Sequence, residues 1–249
     1  MVETTGKRFM EETRYEAMGK TDQEEGRPQP ALESAPPLAP VEQVDLPDPQ
    51  GVALAASELR SLLETRRSLR SYSEAPLRLD ELSYLLWATQ GVTRVIPGKA
   101  TFRTVPSAGA RHPFETALLL GRVDGLSPGL YWFRATAHRL SRLDAPADIG
   151  ERISKACLDQ PLVKQSAATF IWIADAYRTT WRYGERGYRY LHLDAGHVCE
   201  NLYLAAESIG AGACAIGAFS DDLANRALGL DGIDRFVIYL ASVGRRPAS

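Results

Sequence analysis

The sequence predicts an α+β fold, with a mixed or antiparallel central sheet sandwiched between helices. Three observations predict it. Apolar runs of strand length occur at Phe114–Val123, Ala167–Ala176 and Asp234–Val243. A long run from about Tyr188 to Ile209 keeps Leu191, Ala195, Val198, Leu202, Ala205 and Ile209 three or four residues apart, the period of a helix face. The elements between these do not alternate as in a doubly wound fold, and no GxGxxG joins a strand to a helix.

Taken in order, residues 1–52 read as an N-terminal arm and Pro-rich linker, and 53–249 as the folded domain. Seven of the fifteen prolines lie between Pro28 and Pro49, so 21–50 is expected to be extended. It wraps over the folded body or over a partner subunit. Lys7 to Tyr15 is expected to form a short helix. The spacing of Leu59, Leu62 and Leu63 predicts a helix over 53–66. A second helix runs from about Asp80, its N-cap, to Thr89, with Gly91 as its stop. Residues 92–112 read as loop, with Pro97, Gly98, Pro106 and Gly109 as breakers.

Gly129–Phe133 and Arg139–Leu143 form a hairpin after the Phe114–Val123 strand. A helix follows from about Ile149 to Leu158, then the Ala167–Ala176 strand, then the long helix. The far side of that helix carries Gly196, Ala206 and other small residues, so it packs on more than one face. Gly210-Ala211-Gly212 ends it. Ala213–Phe219 is extended, Asp221-Asp222 caps a small helix to Leu228, and Asp234–Val243 is the last strand.

The chain has 249 residues, 45% of them hydrophobic, enough for a substantial core. The net charge of −2 supplies no global field for nucleic acid or membrane. Residues 1–50 hold five Lys/Arg against eleven Asp/Glu, a net of −6, so residues 51–249 carry +4. A mildly basic body suits an anionic cofactor or substrate. Cys157, Cys199 and Cys214 form no CxxC pair and read as buried free thiols. His192 and His197 are five apart and share no helix face, so no metal is expected. With no signal sequence and no membrane-spanning apolar run, the expectation is a soluble cytoplasmic protein.

Arg66-Arg67-Ser68-Leu69-Arg70 places three guanidiniums within five residues at the end of the first helix. Continued as helix, the segment puts Arg66 and Arg70 on one face, with Arg67 beside them. Such a cluster either complements the helix macrodipole or grips an anion such as phosphate. The stretch by itself leaves both open.

Further segments follow in order: Pro106-Ser107-Ala108-Gly109-Ala110-Arg111-His112-Pro113, Gly129-Leu130-Tyr131, Gln160, Arg182-Tyr183-Gly184, Ile216-Gly217-Ala218 and Gly244-Arg245-Arg246. This series, over residues 55 to 246, resembles the FMN-dependent nitroreductase superfamily, and within it the SagB-type dehydrogenase branch. The resemblance implies a nitroreductase-like sandwich, an intertwined homodimer and FMN at the dimer interface. It implies phosphate and ribityl contacts at Arg66, Ser68 and Arg70, with Arg67 among them, and a C-terminal cation at Arg245 on the same phosphate. Pro106, Ser107, Ala108, Gly109 and Ala110 match the loop that lies against the flavin from the partner subunit. Gln160 matches the amide on the pyrimidine edge of the ring. Ile216, Gly217 and Ala218 match the segment whose N–H groups point at flavin N5 and O4.

The implied activity is an oxidoreductase passing hydride through flavin N5. The donor is a reduced one, NAD(P)H in the first instance, the acceptor is a small organic molecule, and the scheme is ping-pong. A SagB-type azoline dehydrogenase of peptide tailoring and a non-catalytic flavin-binding scaffold are the alternatives. Azoline-oxidising members carry a Lys-Tyr pair where Arg182-Tyr183 stands. Arginine cannot serve as a base, which leaves Tyr183 as the catalytic candidate and His112 as a residue to test. Substrate choice is expected in lid loops at 92–104 and 177–190.

Overall fold

A computed structural model describes residues 4–247. In chain order its helices and strands are α1 (Thr5–Glu12), β1 (Pro40–Asp45), α2 (Leu59–Thr65), α3 (Leu79–Gln90), β2 (Val92–Ile96) and β3 (Ala100–Arg103). Then come β4 (Phe114–Leu120), β5 (Gly129–Arg134), β6 (Arg139–Leu143), α4 (Ile149–Ala156), α5 (Pro161–Gln165) and β7 (Ala168–Asp175). The chain closes with α6 (Tyr177–Tyr183), α7 (Gly187–Ser208), β8 (Ala211–Ile216), α8 (Asp221–Leu228) and β9 (Arg235–Arg245).

Seven strands form one sheet in the order β1-β6-β5-β4-β7-β9-β8. Each neighbouring pair is antiparallel. The strand β7 lies inside the sheet and is buried from Ala168 to Ala174. Its side chains alternate between two cores, as the pleat requires. Phe170 and Trp172 join α3 and α7 through Leu82, Leu85, Leu86, Leu191 and Leu202. Ile171 and Ile173 join α4, α5 and α8 through Ile149, Ile153, Leu162 and Leu228. This is the predicted α+β sandwich. Among the described residues no helix is long and apolar enough to cross a membrane.

The structure corrects several element readings. The first helix is shorter than 53–66, because the Ala55 and Ala56 N–H groups bond to the Ser208 carbonyl at 2.7 and 3.1 Å and hold 53–58 out of helix. Of its predicted stripe only Leu62 is buried; Leu59 and Leu63 are exposed. The helix stops at Thr65, so Arg66 and Arg70 do not share a helix face. Residues 66–70 run extended instead. The Leu69 N–H donates to the Ala213 carbonyl at 2.9 Å. Leu69 also fills the space over Gly212, where a Cβ would sit 2.6 Å from its Cδ2.

Residues 92–103, expected as loop, form the β2–β3 hairpin around Pro97-Gly98. The caps also differ. Arg78, not Asp80, is the N-cap of α3, with its N–H bonded to Glu81 Oε2 at 2.8 Å. Ser220, not Asp221, caps α8.

Part of the Pro-rich stretch is ordered as sheet. The strand β1 adds an edge to β6 from Pro40 to Asp45. Ahead of it the arm lies on its own chain's folded body. Gln23 N–H donates to the Trp181 carbonyl at 2.9 Å and Trp181 Nε1 to the Arg27 carbonyl at 3.0 Å. Ser34 reaches a buried charge network: its N–H donates to Glu115 Oε1 at 2.5 Å and its hydroxyl to Asp175 Oδ2 at 2.6 Å. Arg178 completes this network, paired with Glu115 and donating to Ser34 Oγ at 2.6 Å.

Arg178 and Glu115 are both almost fully buried. Replacing Arg178→Met strands a buried carboxylate, and is expected to cost about 3–5 kcal/mol in urea unfolding. The double variant Arg178→Met/Glu115→Leu should recover most of that loss, because it removes the unpaired charge.

Candidate functional site

The extended backbone of 66–70 sets the geometry of the first half of the site. Arg66 and Ser68 both meet Tyr203, while Leu69 packs on Gly212. Arg66 lies over the Tyr203 ring, 5.2 Å from its centroid. Ser68 Oγ is 3.1 Å from the Tyr203 hydroxyl. That hydroxyl also accepts the Ala215 N–H at 2.8 Å. Arg67 points elsewhere: its Nη1 donates to the carbonyls of Glu64 and Arg66 at 2.9 and 2.8 Å. The macrodipole reading of the cluster therefore describes Arg67, which caps α2. Among the described residues the guanidiniums of Arg66 and Arg70 pair with no carboxylate and donate to no side chain or carbonyl.

The same strand leads on to the Ile216–Ala218 turn. Along the outer edge of β8 the Ala213 carbonyl is taken by Leu69 and the Ala215 N–H by Tyr203. Gly217 and Ala218 follow, exposed, and their N–H groups have no acceptor among the described residues. Gln160 is brought to this turn: its Nε2 donates to the Ala218 and Cys157 carbonyls, both at 2.9 Å. Leu158 and Asp159 both adopt positive φ, 58° and 53°, to turn the chain back after α4. Such a conformation in Leu is uncommon and persists only where surrounding contacts hold it. The Ser220 N–H bond to the Ala156 carbonyl, 2.7 Å, supplies one such contact.

The Pro106–Ala110 loop lies elsewhere on α7. Ser107 Oγ donates to Asp194 Oδ2 at 2.5 Å, and the Ala108 N–H bonds to the same carboxylate at 3.3 Å. Asp194 is buried, which raises its pKa, while the Ser107 and Ala108 bonds oppose that rise. Gly109 has φ 57° and a Cβ there would lie 2.4 Å from the Tyr183 hydroxyl, so the loop and Tyr183 pack as only glycine allows. Tyr183 is half-buried, with the Tyr190 ring edge-on at 4.8 Å. From Asp194 to Tyr203 is nine residues of helix, about 13 Å.

One chain thus holds two separate clusters of these residues. Arg66, Ser68, Arg70, Gln160, Ile216, Gly217 and Ala218 gather along the edge of β8. Pro106 to Ala110 gather with Tyr183 a few turns away. Arg245 joins neither cluster. Its guanidinium donates to Glu81 at 2.5 and 2.6 Å, to the Ile209 carbonyl at 3.1 Å and to the Pro76 carbonyl at 3.3 Å. Arg246 pairs with Glu207 at 2.5 Å.

The profile of the Nitroreductase family matches residues 63–245, a span that takes in both clusters. The chain belongs to the nitroreductase family. A Methanocaldococcus jannaschii protein named as a nitroreductase is 36% identical over 204 residues, 82% of this chain and 96% of that protein. A solved nitroreductase-type structure from Ralstonia eutropha is 26% identical with a TM-score of 0.68, covering 90% of this chain and 99% of that one. The trifolitoxin-processing protein TfxB of Rhizobium leguminosarum is 31% identical over 133 residues, 52% of this chain but 36% of TfxB.

Two residues that hold these clusters in place escaped the sequence reading. Asp194 orients the 106–110 loop; the signal was a lone acid within the buried stripe Leu191-Ala195-Val198. Tyr203 ties Ser68 to β8 and carries Arg66, and its position on a mostly apolar helix offered no signal.

His112, expected beside the flavin, is buried, with its N–H bonded to Ser107 Oγ at 2.9 Å. Burial, followed by the nearby Arg103 and Arg111, pushes its imidazolium down to about 3. The folded state therefore binds this proton less readily than the unfolded chain. Stability is fully present above about pH 6.5 and lost as pH falls toward 3. At pH 4.5 the loss amounts to roughly 2–3 kcal/mol. The variant His112→Asn should flatten this acid slope, measured by urea midpoints between pH 7 and 4.5.

Proposed function

We propose that the protein is an FMN-dependent oxidoreductase that moves hydride between a reduced nicotinamide donor and a small organic acceptor by a ping-pong scheme. Members of the nitroreductase family are flavin-dependent, and the residues present fit that group. The observation that carries the reading is the unsatisfied outer edge of β8. Two arginines without counter-ions stand on the segment that runs along it, and two N–H groups without acceptors follow its end. From Ala213, beside Leu69, to Ile216 is about 10 Å of strand, the scale of a phosphate joined to a flat ring by a short polyol.

Arg66 and Arg70 would hold the phosphate, for which guanidinium is the best-matched cation. Ser68, fixed by Tyr203, would bond the phosphate or polyol. Bound FMN would supply reversible hydride chemistry at ring position N5. The Gly217 and Ala218 N–H groups are fixed donors that would stabilise negative charge on the ring edge without reorganising. Gln160 spends its Nε2 on holding that turn and leaves Oε1 free to accept from a ring N–H.

The 106–110 loop stands away from this edge in its own chain. We infer that a second copy supplies it, together with Tyr183 as a proton donor, so the complete site forms in a homodimer. The exposed Leu59 and Leu63 of α2, with Leu193 on the open face of α7, support that association. Arg245 would reach the phosphate only by giving up Glu81.

The likeness to TfxB supports a second reading, a SagB-type azoline dehydrogenase of peptide tailoring. Arg182 opposes it, because a guanidinium cannot take up the substrate proton. Anaerobic titration separates the two. Bleaching of the flavin by NADH or NADPH supports the first, and bleaching only by a thiazoline peptide supports the second. A colourless protein that takes up no added FMN overturns both.

The variants Arg66→Ala and Arg70→Ala should each weaken FMN binding by roughly ten- to a hundredfold, read from flavin retained on gel filtration. Arg67→Ala should keep its FMN and lose only helix stability. Equal retention in all three would show that the cluster binds no phosphate.

A further inference from the structure

Beside Gly109 two like charges converge without a counter-charge. Arg182 is exposed at the end of α6, and a Cβ at Gly109 would lie 3.0 Å from its Nε and 3.1 Å from its Cδ. Arg111 approaches the same glycine from within. Its Nε donates to the Gly109 carbonyl at 3.2 Å, its Nη2 donates to the Lys99 carbonyl at 3.0 Å, and its guanidinium lies 5.6 Å over Trp181. Burial and then the charge of Arg182 lower the Arg111 pKa, so the two cations feel each other. Among the described residues neither forms an ion pair. Aromatic rings wall the spot: Arg182 lies 5.7 Å over Tyr183, against which Tyr190 stands edge-on.

Both guanidiniums are placed rather than loose. Arg111 is held by two carbonyls and a ring, and Arg182 by the Tyr183 ring and the close approach to Gly109. Two cations fixed at one glycine repel until an anion lies between or across them. Arginine is suited to that task, since it binds oxyanions bidentately and stacks on aromatic faces.

We propose that Arg182, backed by Arg111, is the specificity-determining cation of the substrate half-site. It takes the oxyanion of a flat substrate whose body lies on Tyr183 and Tyr190. This rests on the oxidoreductase reading for the identity of the pocket, though not for the binding itself. The oxyanion is a carboxylate on the acceptor or a phosphate on the nicotinamide donor. In both cases the position needs a lasting positive charge with two parallel donors, which the guanidinium fork of arginine supplies and the ammonium of lysine does not.

The test titrates the purified protein with two matched pairs, following tryptophan fluorescence: 4-nitrobenzoate against methyl 4-nitrobenzoate, and NADPH against NADH. The wild type should bind the more anionic member of one pair about tenfold more tightly. A carboxylate preference identifies the acceptor as the source, and a phosphate preference identifies the donor. In Arg182→Gln the preference should collapse to within about twofold, and Arg182→Lys should restore part of it. High salt should weaken it. No preference in either pair, or a preference that survives Arg182→Gln, overturns the proposal. Flavin content, read from the visible spectrum of the same samples, reports separately on the oxidoreductase reading. A colourless protein that still shows the charge preference would overturn that reading and not this one.

Discussion

The free edge of β8 is the constraint on which the rest depends. An edge strand exposes a row of backbone groups that must be paired, covered or left for a partner. Here the covering is selective. Leu69 takes the Ala213 carbonyl and Tyr203 takes the Ala215 N–H. Gly212 lets the covering segment come close, since any side chain there would collide with Leu69. The covering stops at Ile216. What lies beyond it, Gly217 and Ala218, is the part of the edge left with donors to offer.

That covering also explains why the arginines stand where they do. Had α2 continued, Arg66 and Arg70 would have faced solvent one turn apart. Held against β8, the segment turns Arg66 and Ser68 to Tyr203 and packs Leu69 on Gly212. Tyr203 then joins the two elements, with its ring under Arg66 and its hydroxyl between Ser68 and Ala215. The second cluster is organised by the same helix about 13 Å away, where Asp194 holds Ser107 and Ala108. The long helix α7 is thus the ruler between the two clusters.

The N-terminal arm secures the second cluster from outside. Its contacts fall on Trp181, Tyr177, Arg178 and Lys99, which flank Arg111, Arg182 and Tyr183. Ser34 completes the partners of the buried Arg178–Glu115 pair. Without it those charges would have fewer of the hydrogen bonds that buried ions require. The arm is therefore integral to the Tyr183 side of the body, although its composition reads as a linker.

Much of the fold was legible in the sequence because it follows from local periodicity. The alternation of Phe170, Ile171, Trp172 and Ile173 marks a strand with a core on each face. The 3–4 spacing of Leu191 to Ile209 marks the long helix, and the order of the chemistry-bearing segments marked the family. Several of the readings that failed share one cause, which is a partner distant in sequence. Ser208 unwinds 53–58, Ala213 straightens 66–70, and β6 recruits 40–45. Local pattern sets which conformation each segment prefers in isolation. A backbone group or buried charge already waiting on another element can outweigh that preference, because leaving such a group unsatisfied costs more than a few residues of helix propensity. Sequence alone determined the sandwich and the residues with chemistry to offer; tertiary structure decided which of those arginines remained free to use it.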